Sequence, residues 1–576
     1  MTASDDLELS RRDIVRAGAI ATVSLAAASL PEKPAFAAGA LTISGVVFED
    51  RSGTGRRQPG DRGIPDVLVS NGRDVVRTDA GGRYTLPIDE EAIIFVIKPG
   101  GYAVPTNVDQ LPQFYYIHQP KGSPAQLDLR FRGIDPTGPL PDSIDFPLRK
   151  IEEPTTFDVL LLTDPQPESD VELSFVRDDV INRVIGTQAA FGITMGDIMF
   201  DDLSLYGRHN QLFAQIGIPW YNIAGNHDLN FEAPDSKYAR ETFKRIYGPT
   251  YYAFEYGSTL FLMLDNVEYF GADANKANKN GRYRGRIGEQ QLTFVSNVLS
   301  ATPTDRLVVV GLHIPLGTYV DPKDPLQNTI DRPELLKLLS DRPYAVSFSG
   351  HTHTTEHHYF GAEEGYTGAV PHHHHVLTAV SGSWWSGPFD HHGVAIADSR
   401  DGSPNGFHLL SIAGHRYTTR FIPAKEPNGR QMRIMIESGF HRADRELYRD
   451  FRVGELLGSP ITHDAAFSAH VIVNFFDGGP RTTVEYQIGK RDPIKMQREE
   501  RLDPFVQEEF ARNEATKKPW VKAVASSHIW TARLPVDLEV GTHCLRVHVK
   551  DEYGHEHRDY LVIEVTGSET GPTIRG

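Results

Sequence analysis

The spacing of apolar residues changes along the 576-residue chain and divides it into three predicted domains. Between residues 41 and 150, short alternating runs such as LTISGVVFED and AIIFVIKPGGY end in Gly, Pro and Asp turns, which predicts a β-sandwich. Between residues 155 and 412, apolar runs that end in polar clusters alternate with helical spacing, which predicts a layered α/β domain. Residues 413–432 indicate a linker, and alternation returns over residues 433–567, which predicts a second β-sandwich.

Composition narrows the partners that the chain can have. Lys+Arg 59 against Asp+Glu 76 gives a net charge of −17, which disfavours nucleic acid and anionic membranes as partners. The single Cys544 excludes an intrachain disulfide framework. No apolar run approaches the roughly 18 residues of a membrane-spanning helix, so no transmembrane segment is predicted.

The N-terminus has the features of an export signal. Arg11 and Arg12 precede an Ala-rich run over Ala17–Leu30, and Ala35-Phe36-Ala37 follows with the small-x-small pattern of a cleavage site. This order predicts a twin-arginine-type signal peptide over residues 1–38, and hence a secreted or cell-envelope protein. The alternative is an amphipathic or buried helix with a chance arginine pair.

Polar side chains follow successive apolar runs of the middle domain. In open α/β sheets the carboxyl ends of the strands form the ligand site, so these residues are expected to meet at one edge. The alternation of His351 and His353 on a strand or its exit predicts that their side chains share a face. The residues concerned are Asp164, Gln166, Asp197, Asn226, His227, Asp228, His313, His351 and His353.

In this order Asp-Pro-Gln, Gly-Asp, Gly-Asn-His-Asp, a lone His and Gly-His-Thr-His resemble the signature of the calcineurin-like metallophosphoesterases, over about residues 155–412. The resemblance implies a four-layer α/β/β/α sandwich with two metal ions at one edge of its sheets. It implies that His227 faces the substrate and that Asp228 orients it. The implied ligands are Asp164, Gln166, Asp197 and His353 for the first metal, and Asp197, Asn226, His313 and His351 for the second.

The flanking domains resemble modules known beside this catalytic domain in secreted, multidomain members of the family. The first also resembles prealbumin-like modules, some of which bind calcium through acidic loops. In the loop at residues 49–57, Arg56 and Arg57 disfavour a divalent ion, so a structural spacer is the preferred interpretation.

The residue types fit phosphoester hydrolysis on chemical grounds. Two cations joined by a carboxylate can lower the pKa of a shared water, so that a metal-bridging hydroxide attacks phosphorus. An imidazole such as His227 can then protonate the leaving oxygen as general acid. We therefore expect a binuclear metal-dependent phosphatase or phosphodiesterase that acts on a small molecule or a phosphoprotein. The alternative is an exported binding or adhesive protein whose phosphoesterase fold has lost turnover, which the intact residue set disfavours.

Gln166 departs from the family pattern, in which most relatives have His. An amide oxygen is a harder ligand than imidazole, so the first site should favour Mn²⁺, Mg²⁺ or Fe²⁺ over Zn²⁺, with Mn²⁺ preferred. Active branches of the family also carry Asp-Pro-Gln, so Gln166 does not by itself indicate a dead enzyme.

Further residues have competing interpretations. The run His372–His375 could chelate a metal, but the Gly- and Pro-rich turns beside it favour a solvated loop. His357 and His358 are interpreted as strand residues near the site rather than as ligands. Three residues of the SGSWWSGPFD segment could line the substrate cleft. For the two tryptophans, packing in the core or at an interface is an equally good interpretation. They are Trp384, Trp385 and Asp390.

Overall fold

The computed structural model describes residues 41–272, 281–426, 429–437 and 461–567. The predicted signal peptide at residues 1–38 lies outside the described residues, as do residues 438–460 of the predicted C-terminal sandwich. Within the described ranges, none of the helices is both long and apolar enough to cross a membrane. Export stays a prediction.

Two four-stranded sheets form the N-terminal module. Their apolar faces pack against each other. Val47, Leu86 and Leu148 on one sheet and Val69 and Ile94 on the other are fully or almost fully buried. The orders are β4-β1-β8-β6 and β3-β2-β5-β7. The strands are β1 (Thr42–Glu49), β2 (Leu68–Ser70), β3 (Val75–Arg77), β4 (Arg83–Pro87), β5 (Ala92–Ile97), β6 (Tyr102–Ala103), β7 (Tyr115–His118) and β8 (Phe146–Lys150), with a 3₁₀ turn at Ala125–Leu127.

Two larger sheets pack face to face in the middle of the chain. The first consists of β9 (Thr156–Leu162), β10 (Phe191–Met195), β11 (Trp220–Ile223), β20 (Gly406–Ala413) and β21 (Arg416–Pro423), in the order β11-β10-β9-β20-β21. The second consists of β12 (Tyr252–Tyr256), β13 (Thr259–Met263), β16 (Leu307–Gly311), β17 (Ala345–Ser349), β18 (Glu356–Phe360) and β19 (His372–Val376), in the order β12-β13-β16-β17-β19-β18. A separate ribbon joins β14 (Val267–Ala272) to β15 (Gly281–Gly285).

Helices cover the outer faces of these two sheets. On the first sheet lie α1 (Asp170–Val176), which continues through a π-helical turn at Arg177–Ile181 into α2 (Asn182–Val184), and α3 (Tyr206–Ala214). On the second lie α5 (Glu289–Ala301) and α6 (Arg332–Leu339). Between the sheets the rings of Phe191 and Phe261 are 5.2 Å apart. The middle of the chain is thus the four-layer α/β/β/α sandwich that the resemblance implies. Shorter elements are α4 (Glu241–Tyr247) and 3₁₀ turns at Leu203–Leu205 and Ala362–Glu364.

The predicted linker at residues 413–432 is wrong over part of its length. β21 pairs with β20 along eight residue positions and forms the edge of the first sheet. An edge strand keeps one face in solvent, so its polar residues hide the apolar pattern. Arg416 and Arg420 are exposed there, whereas Thr419 and Phe421 are buried.

The predicted solvated loop at His372–His375 is also wrong. These histidines lie on β19, inside the second sheet, and all four are buried. The hydroxyl of Ser347 on the neighbouring β17 lies 2.8 Å from a ring nitrogen of His372 and 2.8 Å from one of His374. Such partners let polar side chains occupy a sheet interior. His357 lies on β18, in a strand as predicted.

The C-terminal module is a second sandwich, of a four-stranded and a five-stranded sheet. The orders are β22-β24-β28-β27 and β23-β30-β29-β25-β26. A helix at Pro504–Arg512 interrupts the sandwich, and the Asp503 carboxylate accepts hydrogen bonds from its first turn. The strands are β22 (Met432–Glu437), β23 (Ile461–Thr462), β24 (His470–Phe475), β25 (Thr483–Ile488), β26 (Ile494–Lys495), β27 (Gln497–Leu502), β28 (Ala525–Arg533), β29 (Gly541–Lys550) and β30 (Glu556–Thr566), and a short helix spans His463–Ala466.

A buried ion pair joins the N-terminal module to the four-layer sandwich. The Lys98 ammonium lies 2.7 Å from Oε1 of Glu153, and both side chains are almost fully buried. The second oxygen of Glu153 accepts hydrogen bonds from the backbone N–H groups of Gly101 and Gly257. Around this ion pair, buried apolar residues of both modules form one continuous core.

Candidate metal centre

The predicted site residues converge at one edge of the two sheets. β9, β10 and β11 run parallel in the first sheet, and β16 and β17 run parallel in the second, so the carboxyl ends of each set meet at one edge. Each strand delivers the residues that follow it. They are Asp164 and Gln166 after β9, Asp197 after β10, Asn226, His227 and Asp228 after β11, His313 after β16, and His351 and His353 after β17.

Asp197 lies between two groups of these side chains. On one side, Oδ2 of Asp197 accepts a hydrogen bond of 2.6 Å from the Gln166 amide, and Nε2 of His353 is 3.6 Å from Oδ1 of Asp164. On the other side, Nε2 of His313 lies 3.3 Å from Oδ2 of Asp197. A central carboxylate with donors on both sides is the arrangement that a binuclear centre requires.

The second group is the tighter one. Nε2 of His313 is 3.1 Å from Oδ1 of Asn226. One potential ligand atom from each of Asp197, His313 and His351 lies within 4.8 Å of the others. One cation can therefore be reached by all three side chains.

The three histidines are held in the orientation that metal ligands need. One ring nitrogen of each faces a backbone carbonyl. Nδ1 of His313 lies 2.9 Å from the carbonyl of Met195, and Nε2 of His351 lies 2.9 Å from the carbonyl of Leu326. Nδ1 of His353 faces the carbonyl of Gly382. The second ring nitrogen of each is then free to act as a ligand. Burial lowers the pKa of His351 and of His353 to about 3, which keeps both rings neutral.

Several buried atoms of the site lack hydrogen-bond partners. Within the described part of the chain, Oδ1 of Asp164, Oε1 of Gln166 and Nδ1 of His351 have none. Burial also raises the pKa of Asp164, because a carboxylate loses its hydration there. A divalent cation would supply both the missing partners and the compensating charge, so these residues fit a metal.

Backbone strain is concentrated at the predicted ligands. The φ angles of Asp164, Gln166, Asp197, His351 and His353 all lie between 39° and 75°. Such left-handed conformations cost about 1–3 kcal/mol each and cluster at functional sites. β17 ends at Ser349, so His351 and His353 lie at the exit of the strand, which is one of the two predicted placements. The turn after the strand aims each ring separately.

Two glycines of the motifs leave room for ligand side chains. A Cβ at Gly225 would overlap the side chain of Asp197, and a Cβ at Gly350 would overlap Thr163 and Asp164. Gly-Asn-His-Asp and Gly-His-Thr-His therefore need glycine because the neighbouring carboxylate occupies the space of a side chain.

His227 lies at the margin of the centre and is held by Asp201. Its Nδ1 is 2.7 Å from Oδ1 of Asp201, and both side chains remain about one-fifth exposed. Although burial opposes it, the carboxylates of Asp197 and Asp201 raise the pKa of His227 to about 9. The ring also stacks on Phe200, with centroids 4.5 Å apart.

The implied role of Asp228 as the group that orients His227 is wrong. The buried Asp228 carboxylate accepts hydrogen bonds from the backbone N–H groups of Gly225, Ile198 and Met199. It also accepts one from the Tyr206 hydroxyl, at 2.9 Å. Asp228 therefore fixes the turns that carry the ligands rather than the imidazole. The sequence signal that could have indicated Asp201 is the acidic pair Asp201-Asp202, which follows Met199-Phe200.

The C-terminal module reaches the site through the loop after its helix. The Trp520 ring stacks on Phe200 at 5.6 Å, and the Lys518 ammonium lies 5.7 Å from the same ring. Lys518 also forms an ion pair with Glu172, at 2.8 Å. Sequence patterns could not assign Trp520 to the site because the contact depends on how two domains pack.

The other candidate residues have different positions. The Trp384 ring stacks on His353, with centroids 3.9 Å apart, and it also packs against the C-terminal module. Trp385 is a core residue whose indole N–H donates to the carbonyl of Pro165 at 2.9 Å, which holds the Asp-Pro-Gln turn. Asp390 forms an ion pair with Lys425 at 2.8 Å.

Comparison with known proteins supports the interpretation of the site. Three family models match consecutive parts of the chain: the N terminal of calcineurin-like phosphoesterase over residues 51–133, calcineurin-like phosphoesterase over residues 158–355, and the C terminal of calcineurin-like phosphoesterase over residues 374–557. The protein belongs to the calcineurin-like phosphoesterases, with N-terminal and C-terminal modules of that family.

One solved structure that resembles the chain is a purple acid phosphatase isolated from yellow lupin (Lupinus luteus) seeds. The identity is 12% and the TM-score 0.35, over 64% of this chain and 68% of the lupin chain. A search of curated proteins found no significant match.

Proposed function

We propose that the protein is a binuclear metal-dependent hydrolase of phosphate monoesters or diesters. The observation that carries the proposal is the convergence of carboxylate, amide and imidazole donors at one sheet edge. Three of their buried atoms, Oδ1 of Asp164, Oε1 of Gln166 and Nδ1 of His351, have no hydrogen-bond partner among the described residues. Such a donor set has no structural purpose without a cation, because burying unpaired polar atoms is costly.

In this proposal Asp197 is shared between two cations. Asp164, Gln166 and His353 complete the first site, whose oxygen-rich ligands favour Mn²⁺. Asn226, His313 and His351 complete the second. When bound, the cations would neutralise the phosphoryl oxygens and activate a water as nucleophile.

His227 is proposed as the proton donor to the leaving oxygen. Asp201 accepts the hydrogen bond of Nδ1–H, which leaves Nε2 as the atom that delivers the proton. Phe200 restricts the ring to one plane. Asp228 acts indirectly, because it anchors the turns on which Asp197 and Asn226 are carried.

The test compares wild type with Asp197→Asn and His227→Ala. Metal content is measured after loading with Mn²⁺, Fe²⁺ or Zn²⁺, together with hydrolysis of an aryl phosphate and of its bis-aryl diester. Asp197→Asn should lose metal and turnover, whereas His227→Ala should keep metal and lose about 10²–10⁴-fold in kcat on an ester whose leaving oxygen needs a proton. The ratio of the two wild-type rates assigns the monoester or diester preference.

Undiminished hydrolysis by Asp197→Asn would refute the mechanism. Wild-type protein that neither holds metal nor turns over either ester would favour the binding protein instead.

A further inference from the structure

A series of three rings leads from the metal centre to an exposed tryptophan of the C-terminal module. The plane of the Trp520 ring is within 14° of that of Phe200, and the Phe200 ring is within 23° of the His227 imidazole. Trp520 keeps 44% of its surface exposed, so its contact with Phe200 leaves much of the indole in solvent. An exposed aromatic surface that is continuous with the site of chemistry is a candidate contact for substrate.

The loop that carries Trp520 is fixed to the catalytic domain on both sides of the tryptophan. Before it, the Lys518 ammonium lies 2.8 Å from the carboxylate of Glu172. After it, the backbone N–H of Val524 donates to the carbonyl of Arg400 at 3.0 Å. The indole is therefore held in place before any ligand arrives, which lowers the entropy cost of binding on it.

The charges beside the indole favour a neutral ligand. The Lys518 ammonium lies 6.0 Å from the centre of the Trp520 ring, but Glu168 and Glu172 neutralise it at 3.3 and 2.8 Å. The carboxylate of Asp201 lies on the other side of the series, at His227. A second anionic group on the ligand would meet these carboxylates, whereas an uncharged ring would not.

The position of His227 shows which part of a substrate would meet this surface. As the proposed proton donor, His227 stands on the side of the leaving oxygen, so the ring series extends along the leaving group. Two centroid separations, of 4.5 and 5.6 Å, lie between the imidazole and the indole. A ring bonded directly to the ester oxygen would stay beside His227, whereas a ring on a spacer of a few bonds of about 1.5 Å each reaches Trp520.

We propose that Trp520 determines specificity by stacking on an uncharged aromatic ring that the leaving alcohol carries on a short spacer; this rests on the proposed function, in which His227 marks the leaving-group side. Aromatic rings stack on an indole in offset or edge-to-face geometry, and tryptophan is among the residues that contribute most to binding energy at exposed surfaces. The C-terminal module thus takes part in substrate selection.

The first experiment compares 2-phenylethyl phosphate with ethyl phosphate on the full-length, Mn²⁺-loaded protein. The two leaving alcohols have similar acidity, so protonation by His227 affects both esters alike. Trp520→Ala should raise the KM of the phenylethyl ester by about 2- to 12-fold relative to that of the ethyl ester, the worth of one aromatic pair. The effect should appear in KM rather than in kcat, because a remote ring binds equally in the ground and transition states.

Two further variants complete the comparison. Trp520→Phe keeps an aromatic ring and should retain most of the preference for the phenylethyl ester. Phe467→Ala is the matched control: Phe467 is an exposed aromatic of the same module, 47% exposed, whose ring contacts His463. Its removal should leave both KM values unchanged. If Trp520→Ala does not fold, Trp520→Leu, which keeps apolar bulk without a ring, decides.

Binding of phosphonates tests the inference without turnover. Calorimetry on the Mn²⁺-loaded protein compares the Kd of 3-phenylpropylphosphonate with that of propylphosphonate, in which carbon replaces the ester oxygen. Wild type should bind the phenyl compound more tightly, and Trp520→Ala should remove about 2- to 12-fold of that preference. Wild type that binds phosphonates but hydrolyses neither ester would refute the proposed function alone. Equal Kd ratios in wild type and Trp520→Ala, or no binding of either phosphonate, would overturn the role of Trp520.

Discussion

Replacing Asp201 with Asn tests whether the contact with His227 assists protonation of the leaving oxygen. The 2.7 Å hydrogen bond pairs a carboxylate with an imidazole whose pKa is raised to about 9, so it is charge-assisted. Asparagine keeps a neutral acceptor at the same place. A charged hydrogen bond is worth about 1.5–3 kcal/mol and a neutral one about 0.5–1.5 kcal/mol, so the change removes about 1–1.5 kcal/mol.

This energy corresponds to about a 5- to 13-fold loss in kcat, provided that proton donation limits the rate. The assay therefore compares two substrates: an alkyl phosphate, whose leaving oxygen needs a proton, and an aryl phosphate with an electron-poor ring, whose leaving oxygen does not. The alkyl ester should show the whole loss, and the aryl ester should change by less than about 2-fold.

Asp202→Asn is the matched control for this experiment. It removes the same charge one residue away, where the carboxylate accepts hydrogen bonds from the backbone and hydroxyl of Ser204. Metal content should be unchanged in both variants. An equal loss for both substrates in Asp201→Asn, or the same profile in Asp202→Asn, would refute the role of His227 as an acid held by Asp201.

Three further changes test the site and the domain boundary. Gln166→His should shift metal preference toward zinc in a competition measured by metal analysis, and unchanged selectivity would contradict the ligand-hardness argument. Gly350→Ala should lose metal and about 1–3 kcal/mol of unfolding free energy, because the added Cβ would overlap the side chains of Thr163 and Asp164. Gly361→Ala is the control: its added Cβ would face open space, so metal content and stability should change little. Glu153→Ala should lower the unfolding free energy by about 3–5 kcal/mol in denaturant titrations, because it leaves the buried Lys98 ammonium without its carboxylate, with only the carbonyls of Pro99 and Glu255 as partners. A loss below about 1 kcal/mol would show that the pair is not needed.

The convergence of the candidate ligands at one sheet edge could be predicted because each motif is local. Asp164, Asp197 and His313 each stand directly after an apolar run, and the ends of parallel strands meet at one sheet edge whatever the loops between them do. Local sequence pattern gave the wrong prediction for His372–His375, which was a solvated loop. Four polar residues between turns resemble a loop, and partners from elsewhere in the fold, such as Ser347, Tyr417 and Asp477, make a buried strand possible.

The partner of His227 shows a second limit. Its neighbour in sequence, Asp228, was the natural choice for the group that orients it, but adjacent side chains on a turn point in different directions. Asp201 comes from the loop after another strand and reaches the ring through space. Phe200 and Trp520 likewise meet only because the C-terminal module packs against the catalytic domain.

The sequence by itself determined the order of the modules, the layered α/β class of the middle domain and the chemical types at each strand end, because apolar periodicity and motif order are properties of contiguous residues. The tertiary structure decided which side chains touch: Asp201 rather than Asp228 at His227, β21 where a linker was expected, and His372–His375 on a buried strand. Contacts between residues far apart in the chain depend on sheet pairing and domain packing, and single-sequence periodicity contains no information about either.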